Sequence, residues 1–160
     1  MAPKLSEQQR RAWRSLLYAH RVLIDTLEDE LTAESSLPLT SYEVLARLDA
    51  APEKRLRLSE LADSLVLSRS GVTRLVDRLE RDGLVRRENC PSDRRGSYAT
   101  LTEEGALAFR AAAPIHSRGI EEHFARHLSD AEARILATAL ERVIEVSGAD
   151  IESLMPRGVK

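Results

Sequence analysis

Cysteine is nearly absent: the 160 residues include one, Cys90. An intramolecular disulfide and a cysteine-based zinc cage within one chain are thereby excluded. Aromatic residues make up only 4%. No apolar run approaches the roughly 18 residues that a membrane-spanning helix needs. Behind Lys4 there is no apolar stretch of the secretory kind, so the expectation is a soluble, cytoplasmic protein. A nucleophile elbow, a glycine-rich phosphate loop and an HExxH pattern are all missing, so no enzyme chemistry and no required cofactor are expected.

Hydrophobic residues at 42% and charged residues at 31% describe a globular chain with one domain's worth of core. The net charge of −2 hides an uneven distribution. Residues 52–97 carry 11 basic against 8 acidic side chains, net +3, whereas residues 101–153 carry 5 against 10, net −5. A basic segment in an acidic protein can draw in a polyanion, although an excess of three also arises by ordinary fluctuation.

Apolar residues at Trp13, Leu16, Leu17, Leu23, Ile24, Leu27 and Leu31 predict a long helix over 6–34. Ser35-Ser36-Leu37-Pro38 breaks it. Thr40 and Glu43 form a capping-box pattern for a second helix ending near Pro52. A short third helix starts at Ser59, and Ser68 can cap a fourth that Gly83 stops after Asp82. Leu84–Glu88 and Ser97–Leu101 read as extended runs joined by a polar, turn-rich loop over 89–96. Thr102 then opens a helix to about Leu128, with Pro114 predicting a kink or break, and Ser129-Asp130 caps a last helix to about Gly148. The order is α-α-α-α-β-β-α-α, mainly helical with a small β-hairpin.

Two short helices followed by a hairpin suggest a winged helix-turn-helix. Over 68–82, Val72, Leu75, Val76 and Leu79 share a stripe, with Ser70, Thr73, Arg74, Asp77 and Arg81 roughly opposite and Arg69 and Arg78 at the flanks. Small hydroxyl residues permit close approach to DNA, and arginines can take guanine edges or phosphates. An ordinary amphipathic surface helix shows the same pattern. Arg94-Arg95 at the hairpin tip and Arg86-Arg87 on its first strand suit a minor groove and backbone, with Asp93 placed to brace one guanidinium. A solvated hairpin is the plainer alternative.

The runs Leu58-Ser59-Glu60-Leu61-Ala62 and Ser70-Gly71-Val72-Thr73-Arg74-Leu75-Val76-Asp77-Arg78-Leu79-Glu80-Arg81-Asp82-Gly83-Leu84-Val85 strongly resemble the MarR family of bacterial transcription regulators. So does Asp93-Arg94-Arg95 followed by Leu101-Thr102-Glu103-Glu104-Gly105. The resemblance implies one domain over 1–160, with a DNA-binding lobe over 40–101 and dimerisation helices over 6–34 and 102–153. It implies a homodimer that grips a pseudo-palindromic operator in double-stranded DNA, with a helix in the major groove and a wing arginine in the minor groove. It implies a repressor, released by a small phenolic or other lipophilic effector, by oxidation or by metal. The DNA-binding residues that follow are Ser59, Ser68, Arg69, Ser70, Thr73, Arg74, Asp77, Arg78, Arg86, Arg87, Asp93, Arg94 and Arg95.

The family places small-molecule sites between the dimer core and the DNA-binding lobe. Trp13, Arg14, Tyr18 and His20 could line such a pocket, with dimer packing the plainer reading of Trp13. The alternative is a zinc-responsive regulator using His116, His123 and His127, with Glu122 or His20 as further ligands, because His123 and His127 are i, i+4 neighbours. Three histidines along a helix are more often surface or packing residues. Cys90 lies near arginines that could lower a thiol pKa. Peroxide-sensing members, however, place the reactive cysteine near the N-terminus, where this chain has none.

Overall fold

A computed structural model describes residues 4–65, 69–90 and 93–146, with all side chains in these ranges except those of Arg69, Cys90, Asp93, Arg94 and Arg95. The long first helix, α1 (Glu7–Ser35), begins in a capping box: Ser6 Oγ accepts from the Gln9 N–H, and Gln9 Oε1 accepts from the Ser6 N–H at 2.8 Å. Helix α2 (Leu39–Ala50) follows, then a 3-10 turn (Pro52–Lys54), strand β1 (Arg55–Arg57) and helix α3 (Leu58–Ser64). Helix α4 (Arg69–Arg81), strands β2 (Val85–Cys90) and β3 (Asp93–Leu101) and helix α5 (Glu103–His123) come next. A 3-10 turn (Ala125–His127) leads into α6 (Asp130–Val146). This is the mainly helical winged architecture expected, with one added element: β1 pairs antiparallel with β3, making a three-stranded sheet of order β1-β3-β2.

Four local expectations are corrected. Thr40 and Glu43 do not cap α2; Pro38 stands at its N-cap, and the Leu39 N–H is satisfied from α1 by Glu28 Oε2 at 2.6 Å. Helix α3 starts one residue early, with Glu60 accepting from the Arg57 N–H. Helix α5 runs unbroken through Pro114 and ends at His123, five residues short of Leu128. Cys90 pairs with Asp93, so the backbones of Asp93, Arg94 and Arg95 belong to a strand, not to a turn-rich loop. The proposed Ser68 cap and the end near Gly148 lie outside the described residues.

The core lies where the periodicity put it. Val44, Leu45 and Leu48 of α2, Leu61 of α3 and Val72, Val76 and Leu79 of α4 are all buried, with Val85, Ala99 and Leu101 from the sheet. Helix α4 ends as expected at Gly83, whose φ of +76° is costly for any side chain. The Leu84 N–H bonds back to Leu79 O and the Gly83 N–H to Glu80 O, a Schellman termination that turns the chain into the wing. Thr102 caps α5, accepting from the Gly105 N–H while donating to Gly83 O at 2.7 Å.

This last junction leaves no room above Gly105. A Cβ there would stand 2.0 Å from the Leu84 carbonyl oxygen, a backbone atom that cannot step aside. Gly105→Ala should therefore cost about 1–3 kcal/mol, the usual penalty of overpacking. A thermal melt checks this, and an unchanged midpoint would contradict the geometry.

The first half of α1 is different. Residues 7–22 are exposed throughout, Trp13 at 59% and Tyr18 at 71% among them. Helix α6 has no buried residue, and Ile135, Val143 and Val146 are largely exposed. Both amphipathic helices thus carry apolar stripes that the described residues do not cover.

Candidate nucleic-acid interface

Helix α4 buries its Val72-Leu75-Val76-Leu79 stripe and exposes Ser70, Thr73, Arg74, Asp77 and Arg78. The surface expected to face DNA is thus the outer face of the helix-turn-helix. Ser59 is exposed on α3 beside it. Thr40 at the start of α2 shares a cleft of about 250 Å³ with Gly71, Arg74, Leu75 and Arg78. Arg78 Nη2 donates to the buried Ser41 hydroxyl at 3.1 Å, so its guanidinium also ties α4 to α2. The side chains of Arg69, Asp93, Arg94 and Arg95, and Ser68 altogether, lie outside the described residues.

The two arginines of β2 have different jobs. Arg86 is 65% exposed and bonds along its own strand to Glu88 Oε1. That hydrogen bond, joined by the charges of Arg86 and Arg55, holds the Glu88 carboxyl below its usual range against a weaker opposing desolvation. Arg87 faces the other way, beside buried Val85 and Ala99, and reaches across to α4. Its Nη2 lies 2.6 Å from Asp77 Oδ1 and donates to the Thr73 carbonyl at 3.2 Å, while its N–H donates to Glu80 Oε1 at 3.0 Å. Arg87 and Asp77, both expected at DNA, are therefore joined to one another. Arg87 is a brace between wing and helix, and it partly neutralises the Asp77 carboxylate.

Sequence reasoning missed β1. Its Arg55 and Arg57 guanidinium carbons stand 5.1 Å and 5.6 Å from the centroid of the Tyr98 ring, a cation–π stack on the wing sheet. Three residues, Arg-Leu-Arg, are too short a run and carry no β-branched or aromatic residue, so they give no strand signal.

The expected effector residues are separated. Trp13, Arg14 and Tyr18 are exposed on α1, and none lines a described cavity that includes His20. His20 borders two. One of about 440 Å³ lies between α1, α2 and the end of α3, with Ile24, Glu28, Glu43, Arg47 and Leu65 on its wall. Burial raises the Glu43 carboxyl above its ordinary pKa, with Arg47 opposing, and burial lowers Arg47. The other, about 340 Å³, is an apolar groove between α1 and the end of α5, lined by Leu23, Ile24, Leu27, Ile120 and Phe124.

The three histidines do not meet. Their spacing assumed a helix continuing past His123, but α5 stops there. His127 falls in the 3-10 turn, its Nε2 3.1 Å from the Glu122 carbonyl. His116 packs on Tyr42, with ring centroids 4.4 Å apart. Among the described residues, His123 is the histidine grouped with carboxylates, those of Glu30 and Glu122. Burial lowers the His116 pKa from its ordinary 6.5. The unfolded chain therefore binds this proton more readily than the folded one. Stability should fall as pH drops through about 6.5 towards the lower folded-state value. His116→Phe, which keeps a ring against Tyr42, should flatten that part of a melting-temperature profile; an unchanged profile would contradict it.

Comparison with known proteins agrees with this geometry. A MarR family model matches residues 37–97, the span from α2 to the wing. The crystal structure of Sco3205 from Streptomyces coelicolor, solved in complex with DNA, superposes with a TM-score of 0.84 at 35% identity, over 89% of this chain and 90% of that one. AbsC from the same organism gives 0.86 at 35% identity, over 93% of this chain and 100% of its own. The transcriptional regulator MhqR of Bacillus subtilis is 27% identical over 87% of this chain and 93% of its length. On this likeness, together with the winged helix-turn-helix itself, the chain belongs to the MarR family of transcriptional regulators.

Proposed function

We propose that the protein is a sequence-specific double-stranded DNA-binding repressor acting as a homodimer on a pseudo-palindromic operator. The observation that carries the reading is the outward face of α4, where Ser70, Thr73 and Arg74 stand exposed over a fully packed apolar stripe. Such a helix presents short hydroxyls and a long cation to a major groove. That Sco3205, of the same family and fold, was crystallised with DNA supports it. The wing arginines Arg94 and Arg95 are proposed to hold the backbone or minor groove alongside, and Arg86 to lie on the same outer surface.

The uncovered stripes of α1 and α6 support the dimer. A twofold axis would set two α4 helices about one turn of DNA apart. The cavity of about 440 Å³ between α1, α2 and α3 supports an effector site, because its wall joins the dimerisation helix to the DNA-binding lobe. With Leu65 and Ile24 beside Glu43 and Arg47, the cavity suits a lipophilic molecule with a polar end.

Thr73→Ala and Arg74→Ala should each reduce discrimination between operator and random duplex by about 1–3 kcal/mol, the worth of a good base contact. Binding isotherms at matched salt measure the ratio. Wild-type ratios in both variants would mean that α4 is not the reading head.

A further inference from the structure

We infer that Glu30 of α1 and Glu122 and His123 of α5 form a binding site for a divalent transition-metal ion, with Zn²⁺ the best fit. These three residues offer two carboxylates and an imidazole whose ligand atoms all lie within 4.8 Å of one another, each half-buried. His123 Nε2 is 2.6 Å from Glu30 Oε1. Ligands around Zn²⁺ sit about 2.0–2.2 Å from the ion. Small side-chain rotations therefore separate the present spread from a closed set.

An ordinary ion pair does not account for the cluster. Glu30 Oε2 is buried and has no hydrogen-bond partner. It is pressed against the backbone of α5 at Gly119, where a Cβ would stand 2.9 Å from it and 2.6 Å from Leu27 Cδ2. The missing side chain at Gly119 leaves room for a carboxylate oxygen that has no hydrogen-bond partner among the described residues. A buried acceptor without a donor costs about 1–3 kcal/mol. Glu122 adds a second carboxylate, and like charges at this range oppose each other. A protonated His123 would offset one of the two negative charges and leave Oε2 unsatisfied. A divalent cation held by neutral His123 balances both carboxylates and gives Oε2 a partner.

The donor set narrows the ion. Oxygen-only cations such as Mg²⁺ and Ca²⁺ gain little from an imidazole, whereas Zn²⁺ accepts nitrogen and carboxylate oxygen together. Three protein ligands leave a fourth position to solvent, and the side chains of Glu30 and His123 remain 30% and 34% exposed. The ion can therefore enter and leave. The site clips α1 to α5 alongside Arg118–Glu34, two residues along α1 from Glu28, which caps α2.

The test is metal binding by the purified full-length chain, so it stands or falls independently of operator recognition. Chelator-stripped protein is titrated with ZnCl₂ by calorimetry, and metal content is read after dialysis. One Zn²⁺ per chain is expected in the wild type, with a raised thermal midpoint. Loss even of an outer-shell partner typically weakens a site 10–100-fold, so Glu30→Gln, Glu122→Gln and His123→Gln should each weaken binding by at least about tenfold. His116→Ala should bind as the wild type does. Glu122→Gln, at the seam's edge, keeps the test decisive if either other variant fails to fold. No saturable Zn²⁺ binding, or wild-type affinity in Glu122→Gln and Glu30→Gln, would overturn the site. A wild-type preference for Mg²⁺ over Zn²⁺ would overturn the assignment of the ion.

Discussion

Replacing Arg87 with alanine should weaken operator binding by at least about tenfold. The side chain is 28% exposed, joined to Asp77 at 2.6 Å and to the Thr73 carbonyl at 3.2 Å. Hydrogen bonds to charged groups are worth about 1.5–3 kcal/mol when well shielded. Asp77 is half exposed, so the lower end applies. Two consequences add. The wing loses its tether to α4, and the Asp77 carboxylate is left uncompensated on the helix proposed to approach phosphates. Arg87→Lys should recover part of the loss, since an ammonium keeps the charge but not the planar fork. The measurement is a double-mutant cycle in DNA binding. If Arg87 acts through Asp77, Asp77→Ala in the Arg87→Ala background should restore part of the affinity, leaving the loss due to the missing wing tether. If Arg87 instead touches phosphate, the two losses will add, and the slope of log K against log salt will drop by about 1.

Charging the uncovered face of α1 should have the larger effect. Trp13 and Leu17 are 59% and 49% exposed in the single chain. Glutamate at both positions removes nothing from the chain's own core, but in a dimer it would bury carboxylates against a partner. Trp13→Glu with Leu17→Glu should yield a single-chain particle of 17.9 kDa by light scattering, where the wild type should give twice that mass. With one reading head left, the avidity of two linked half-sites is lost, a factor of about 10²–10⁴. A melt should show that the lobe containing Leu45 and Val76 still folds. A wild-type protein that scatters as a monomer would contradict the dimer.

What could be read from the sequence was what local chemistry decides. The stripe Val72-Leu75-Val76-Leu79, the stop at Gly83 and the Thr102 start of α5 depend on neighbours within a few positions, and all three stand in the structure. The missed features depend on partners far along the chain. The α2 cap comes from Glu28, eleven residues before the N–H it satisfies. Glu30 meets His123 across ninety-three positions. Strand β1 exists because β3 offers it a ladder, not because Arg55-Leu56-Arg57 favours extension. The Arg86-Arg87 pair was a legible case read incompletely. Neighbours on a strand point to opposite faces, so one of two adjacent arginines had to turn inward. Likewise, reading His123 and His127 as one face required a helix that Phe124, with φ −131° and ψ −63°, ends.

Helix α4 is proposed to read DNA sequence on a two-fold operator. The most direct measurement is sequencing of genomic fragments retained by purified wild-type protein beside those retained by Arg74→Ala. The wild type should enrich a motif with two inverted half-sites whose centres lie about one helical turn apart, and the variant should retain fragments with that motif blurred. Wild-type fragments indistinguishable from input, or an identical motif retained by the variant, would contradict it.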